Sequence, residues 1–172
     1  MIPIELPQHL ETIAEVAAAF TGFAGLVSVL GKSNLDPGVR FWRVQLMIIT
    51  SLAAMFGALT PPTILLVTTQ EDVLWRLSSF FLFLLMSGQL SYVYRSMPIE
   101  HATGRLRMFY SPMSSILTIG SVVFQVCLIS IAAGYNLSTA PAIYVVALLF
   151  LLLASAFHFL RLVKGSQPNV TT

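Results

Sequence analysis

Long apolar runs alternate with short polar connections along this chain, and that alternation sets its architecture. Five stretches reach the roughly 20 apolar residues that a membrane helix needs, at about 10–31, 43–68, 73–96, 112–134 and 141–163. Turn-forming segments separate them: GKSNLDPG after the first, TTQED after the second, and GYNLSTAP between the fourth and fifth. The third connection, RSMPIEHATGRLRMFYSP, is the longest. The pattern predicts a single all-α domain over 1–172. The same pattern predicts a polytopic membrane protein, a bundle of five transmembrane helices, with a cytoplasmic loop at 95–111 and a flexible tail at 165–172.

Within the runs, helical spacing separates faces. The first helix carries Ile13, Val16, Phe20, Phe23, Val27 and Leu30 along one stripe, and Glu11, Glu15, Ala18, Gly22 and Gly25 along the opposite one. Lipid tails accept bulky apolar side chains, whereas small residues let helix backbones approach. Ala18, Gly22 and Gly25, with Gly57 on the second helix, are therefore expected to pack against other helices. Pro61 and Pro62 each lack a helix donor and are expected to kink or locally unwind the second helix. The fourth helix carries a weaker polar stripe of Ser114, Thr118, Ser121 and Gln125.

Composition strengthens the membrane reading. The chain is 56% hydrophobic and only 9% charged, where soluble domains carry about 25% charged residues. A bilayer removes the need for a charged surface. A formal charge of +2 gives nucleic acid no footing. The lone Cys127 has no disulfide partner and reads as a small buried hydrophobe. The start, MIPIELPQHLE, is acidic where a signal peptide is basic, so the first run reads as a retained helix.

The charges also orient the bundle. Lys32, Arg40, Arg43, Arg95, Arg105, Arg107, Arg161 and Lys164, eight of nine basic residues, fall on one side of a five-span chain. Glu5, Glu11, Glu71 and Asp72 fall on the other, with only Arg76. The positive-inside rule then places the N-terminus outside and the C-terminus in the cytoplasm. RFWRVQ and RMFY join cations to aromatics at helix ends, which marks Arg40, Trp42, Arg43, Arg105 and Arg107 as lipid-interface anchors.

One charged cluster falls inside the membrane. At 1.5 Å per residue, Glu15 lies about 8 Å and Arg76 about 5 Å below the outer surface, with Glu11 nearer water. Three readings are open: an ion pair that fixes helix register, residues that snorkel outward, or an outer site with Glu15 as proton or cation ligand. His9, His101 and His158 do not converge, and no HExxH, phosphate loop or nucleophile elbow occurs. Neither an enzyme, nor a cofactor, nor a metal site is expected.

The segments FTGFAGLVSVLG, FWRVQLMIITSLAAMFGALTPP, VLWRLSS and FHFLRLV resemble a set of small bacterial inner-membrane proteins with five predicted spans and no established activity. That resemblance implies a bacterial inner membrane and carries over no functional residue. The function expected first is a small transport or channel-like protein for protons or small cations. One alternative is a non-catalytic accessory or assembly subunit of a larger membrane complex, docking through the small face of the first helix. The other is a membrane sensor signalling through 95–111. The expected partners are the lipid bilayer and a second copy or larger membrane complex, with no nucleic acid.

Overall fold

The computed structural model describes residues 6–30, 37–96 and 112–164. All regular structure among them is helical: α1 (Leu6–Leu30), α2 (Pro37–Leu65), α3 (Glu71–Ser96), α4 (Pro112–Ala132) and α5 (Ala140–Lys164), with a 3₁₀ turn at Leu137–Thr139. Helices α2 to α5 are each long and apolar enough to cross a membrane. The 25 residues of α1 reach about 37 Å at the helical rise, although its first turns carry His9, Glu11 and Thr12. Of the loop expected at 95–111, Arg95 and Ser96 still belong to α3, while 97–111 and the tail at 165–172 lie outside the described residues.

Successive helices run antiparallel, and side-chain hydrogen bonds fix their register. Between α2 and α3, Trp42 Nε1 donates to Ser96 Oγ (3.1 Å), Tyr92 Oη to Gln45 Oε1 (2.6 Å) and Gln89 Nε2 to Thr50 Oγ1 (2.7 Å). Ser51 and Ser155 share a bond of 2.6 Å between α2 and α5, and Ser87 Oγ donates to Gln125 Oε1 between α3 and α4 (3.2 Å). α2 is the hub, packing against α1, α3 and α5. In its most apolar 18-residue stretch 56% is buried, against 11% for α4 at the periphery. The outward face of α4 is Ile116, Ile119, Val122, Val123, Val126 and Ile129. An apolar face of that extent suits hydrocarbon and not water.

The layer in which α1, α3 and α5 begin is called upper here, and the layer in which they end, lower. Glu71 and Asp72 open α3 and Arg95 stands in its last turn, each sign matching the helix dipole. α4 stops in a Schellman turn: Tyr135 N–H reaches Ser130 O (3.0 Å) and Gly134 N–H reaches Ile131 O (2.8 Å). Gly134 takes the left-handed position this turn requires, at φ 96°.

Of the kink or local unwinding expected at Pro61 and Pro62, α2 shows no unwinding: it continues through both prolines to Leu65. The two prolines remove the N–H groups that would bond the carbonyls of Gly57 and Ala58. Tyr144 supplies a replacement, its hydroxyl donating to Gly57 O at 2.6 Å from α5. Trp75 then packs edge-on against the Tyr144 ring at 5.8 Å. Gly57 lies where three helices meet: a Cβ there would stand 2.8 Å from Leu148 Cδ2 and 2.9 Å from Leu82 Cδ1.

Candidate functional site

The structure does not bring the expected charged cluster together. α1 buries Leu10, Ile13, Ala14, Ala17 and Ala24, and leaves Glu11 and Glu15 exposed. It packs on α2 and more lightly on α5, and it nears α3, which carries Arg76, where Pro7 and Leu10 share a small apolar hollow with Leu74 and Trp75. Arg76 instead lies across the end of α4: a Cβ on Gly134 would meet its Nη2 at 2.5 Å. The physical reason is local. A helix C-terminus is electronegative, so a guanidinium laid on the last turn of α4 needs no carboxylate from α1.

The expected inward face of α1 is likewise turned outward within the chain. Ala18, Gly22 and Gly25 are exposed, and a Cβ added at either glycine would meet nothing within 4 Å. The alanines of the adjoining stripe, Ala14, Ala17 and Ala24, take the inner position. They pack well because α2 approaches them with small Ala53, Ala54 and Ala58 over the upper half.

The lipid-interface group also divides. Trp42 is only 6% exposed: its indole N–H finds Ser96, which draws the ring into the bundle and away from headgroups. Arg43 Nη1 donates to the Arg161 carbonyl at 3.3 Å, one of the carbonyls that the end of α5 leaves without a helical partner. Arg43 thus caps α5 as Arg76 covers α4. Arg40 is half-buried, and Arg105 and Arg107 lie outside the described residues.

What the structure does assemble is a cavity of about 130 Å³ in the lower half, between α2, α3, α4 and α5. Trp42, Phe150 and Phe157 give it aromatic walls, Leu46, Met86 and Leu151 aliphatic ones. Phe150 also packs on Phe124 and Gly120 of α4, at 5.1 Å between the two rings. Arg161 lies over the Phe157 ring at 4.5 Å and marks the lower end. Gln89, Thr118, Ser121 and His158 supply the polar lining.

Three buried side-chain polar atoms lack a partner among the described residues: Ser78 Oγ, Ser79 Oγ and Gln89 Oε1. A serine hydroxyl can rotate toward its own helix backbone. The Gln89 oxygen has no such recourse, and of these three residues only Gln89 lines the cavity. Of the residues singled out in the sequence, this site takes in Trp42, His158, Arg161 and the polar positions Thr118 and Ser121 of the fourth helix, and none of the carboxylates. The readable signal was the recurrence of Gln45, Gln89 and Gln125 in otherwise apolar helices, one amide on each of three neighbours. No group of three metal-ligating side chains occurs among the described residues.

Compared with protein-family profiles, with curated proteins and with solved structures, the chain matches none.

Proposed function

We propose that the chain is a five-span integral membrane protein, N-terminus outside and C-terminus cytoplasmic, that serves as a non-catalytic accessory or assembly subunit and docks a partner through α1. The observation that carries this reading is the outward face of α1, with Glu11, Glu15, Ala18, Gly22 and Gly25 in one stripe. A carboxylate facing hydrocarbon is costly, by about 2.5 kcal/mol at mid-membrane on insertion scales and by less at the shallower depth of Glu11 and Glu15. Small residues there give lipid little to pack on and give a second helix close approach. Both penalties vanish if another helix covers the stripe. The five-span count and the orientation rest on the apolar run of α1 and the one-sided Lys and Arg distribution. The resemblance to bacterial inner-membrane proteins supports that membrane as its location.

Transport of protons or small cations has less support, since the carboxylates it needs stand on the outer surface of the single chain. Sensing through the loop would act through Arg105 and Arg107.

The experiment is extraction of the tagged protein from its native membrane, followed by native-mass measurement. The wild type is expected well above the 18.8 kDa of one chain. Gly22→Leu is expected to weaken association at least tenfold, about 1.4 kcal/mol, while Glu15→Gln leaves it nearly unchanged. A monomeric wild type, or an assembly indifferent to Gly22→Leu, sinks the docking role. Proton flux lost in a well-folded, fully assembled Glu15→Gln protein would restore transport, and output lost on neutralising Arg105 and Arg107 would restore sensing.

A further inference from the structure

We infer that the lower cavity holds the hydrocarbon chain of an anionic amphiphile, with its phosphate or carboxylate head drawn to the Arg161 guanidinium. α1 lends no residue to the cavity, so its docking role is not involved.

Shape speaks for a chain. The cavity is a cleft rather than a sealed void, with Leu46, Met86, Leu117 and Leu151 among its walls. Its lining on α5 runs from Phe150 to Arg161, which is about 16 Å along the helix axis. A volume of about 130 Å³ is close to the roughly 150 Å³ that admits one benzene. Spread along that length, it is a narrow space that suits a stretch of single hydrocarbon chain better than a ring. Bilayer lipids and free fatty acids both carry such a chain.

Charge speaks for an anionic head. Arg161 lines the cavity and lies over the Phe157 ring, 4.5 Å from its centre. Arg43 reaches the same turn of α5, donating to the Arg161 carbonyl at 3.3 Å. The two guanidiniums act on each other through space and both act on His158, so α2 and α5 gather three basic side chains here. The carboxylates of the described residues, Glu11, Glu15, Glu71 and Asp72, all stand in the upper half, on α1 and α3. A cleft lined by one sign of charge between low-dielectric walls focuses its field and collects the counter-ion. A guanidinium carries five N–H donors in a fork that matches phosphate and carboxylate oxygens. Arg161 can therefore take a head group in addition to the contacts it already makes. Depth agrees with charge: the apolar walls lie within the spans, and Arg161 falls in the last turn of α5, at the level where basic pockets between membrane helices meet head groups.

The test places the full chain in phosphatidylcholine vesicles, in a Trp75→Phe background that leaves Trp42 as the sole tryptophan. Trp42 is a wall of the cavity and is otherwise buried, so a bromine-labelled chain quenches it most strongly from within the cleft. Three brominated guests are compared: phosphatidylglycerol, phosphatidylcholine with the same chains, and stearate. At least one of the two anions is expected to quench saturably, at about one tenth of the guest fraction that phosphatidylcholine needs. The stronger anion identifies the source as bilayer lipid or free fatty acid. Arg161→Gln is expected to abolish the preference for the anion. Arg95→Gln, which removes an exposed lower-end cation from outside the cavity, is expected to leave it. Ala154→Leu, which fills part of the cleft, is expected to reduce quenching by every guest. Equal quenching by anions and zwitterion overturns the proposal, as does a preference that survives in Arg161→Gln. So does a preference that Arg95→Gln removes just as fully, since general attraction to the basic end would then explain it. Quenching indifferent to Ala154→Leu overturns it too. Should Trp75→Phe fail to fold, the same signal is read as the difference between wild type and Trp42→Phe. Should Arg161→Gln or Ala154→Leu fail to fold, the comparison of guests and the Arg95→Gln control each still suffice to overturn it.

Discussion

Replacing Gly57 by leucine is expected to destabilise the bundle by about 3 kcal/mol or more, at the upper end of what overpacking a core costs. A single Cβ at this position already stands 2.8 Å from Leu148 Cδ2 and 2.9 Å from Leu82 Cδ1. Three further carbons have no space to enter, because Ala54, Ala58, Leu82, Tyr144 and Leu148 are all fully buried nearby. α2 would have to back away from α3 and α5 together, and it is the helix through which most of the bundle is held. Gly57→Ala asks only that two leucine tips, the flexible ends of their side chains, move aside from 2.8 and 2.9 Å to ordinary contact, so roughly 1 kcal/mol is expected. Unfolding by sodium dodecyl sulfate in mixed micelles measures both. Leu148→Ala gives the internal check: alone it should cost about 2–5 kcal/mol, yet combined with Gly57→Leu it should restore part of the loss. Strict additivity of the two would show that these side chains do not compete for one space.

The helices were readable from the chain because a bilayer imposes a length, and runs of about 20 apolar residues stand out against turn residues. Which face each helix turns inward was much less readable. In water, polarity decides that question; in lipid the outside is as apolar as the inside, and only shape remains. α1 carries small residues on two adjoining stripes, and the choice between Ala14–Ala17–Ala24 and Ala18–Gly22–Gly25 depends on what α2 presents. Arg76 illustrates a different limit. A basic residue in a span invites a search for an acidic partner, but here the guanidinium lies against the end of a helix, at the turn at Gly134. That turn is local in sequence to α4 and 58 residues from Arg76, so no spacing rule connects them. Arg43 and the end of α5 repeat the lesson. The cavity was hidden for a related reason: Trp42, Met86, Ser121 and Phe150 stand on four different helices, so no run in the sequence announces that they line one space.

Tyr144→Phe is expected to cost about 1–3 kcal/mol, more than a deleted phenol hydroxyl usually does, because it strands a buried carbonyl. Pro61 is the cause. Lacking an N–H, it cannot bond the Gly57 carbonyl four residues back, and its ring crowds that same oxygen. Membrane helices tolerate such prolines where a neighbour answers the freed group, and here Tyr144 Oη answers it at 2.6 Å. Pro61→Ala restores the backbone donor, so in that background the tyrosine hydroxyl becomes a second partner for an oxygen already satisfied. Tyr144→Phe should then cost only a few tenths of a kcal/mol. The double-mutant cycle therefore carries a coupling of about 1 kcal/mol or more, measured by the same unfolding titration. The cavity left by trimming Pro61 lowers the stability of both Pro61→Ala proteins alike and drops out of the difference. Equal losses from Tyr144→Phe in the two backgrounds would mean that the hydroxyl holds α5 to α2 through something other than the carbonyl that Pro61 sets free.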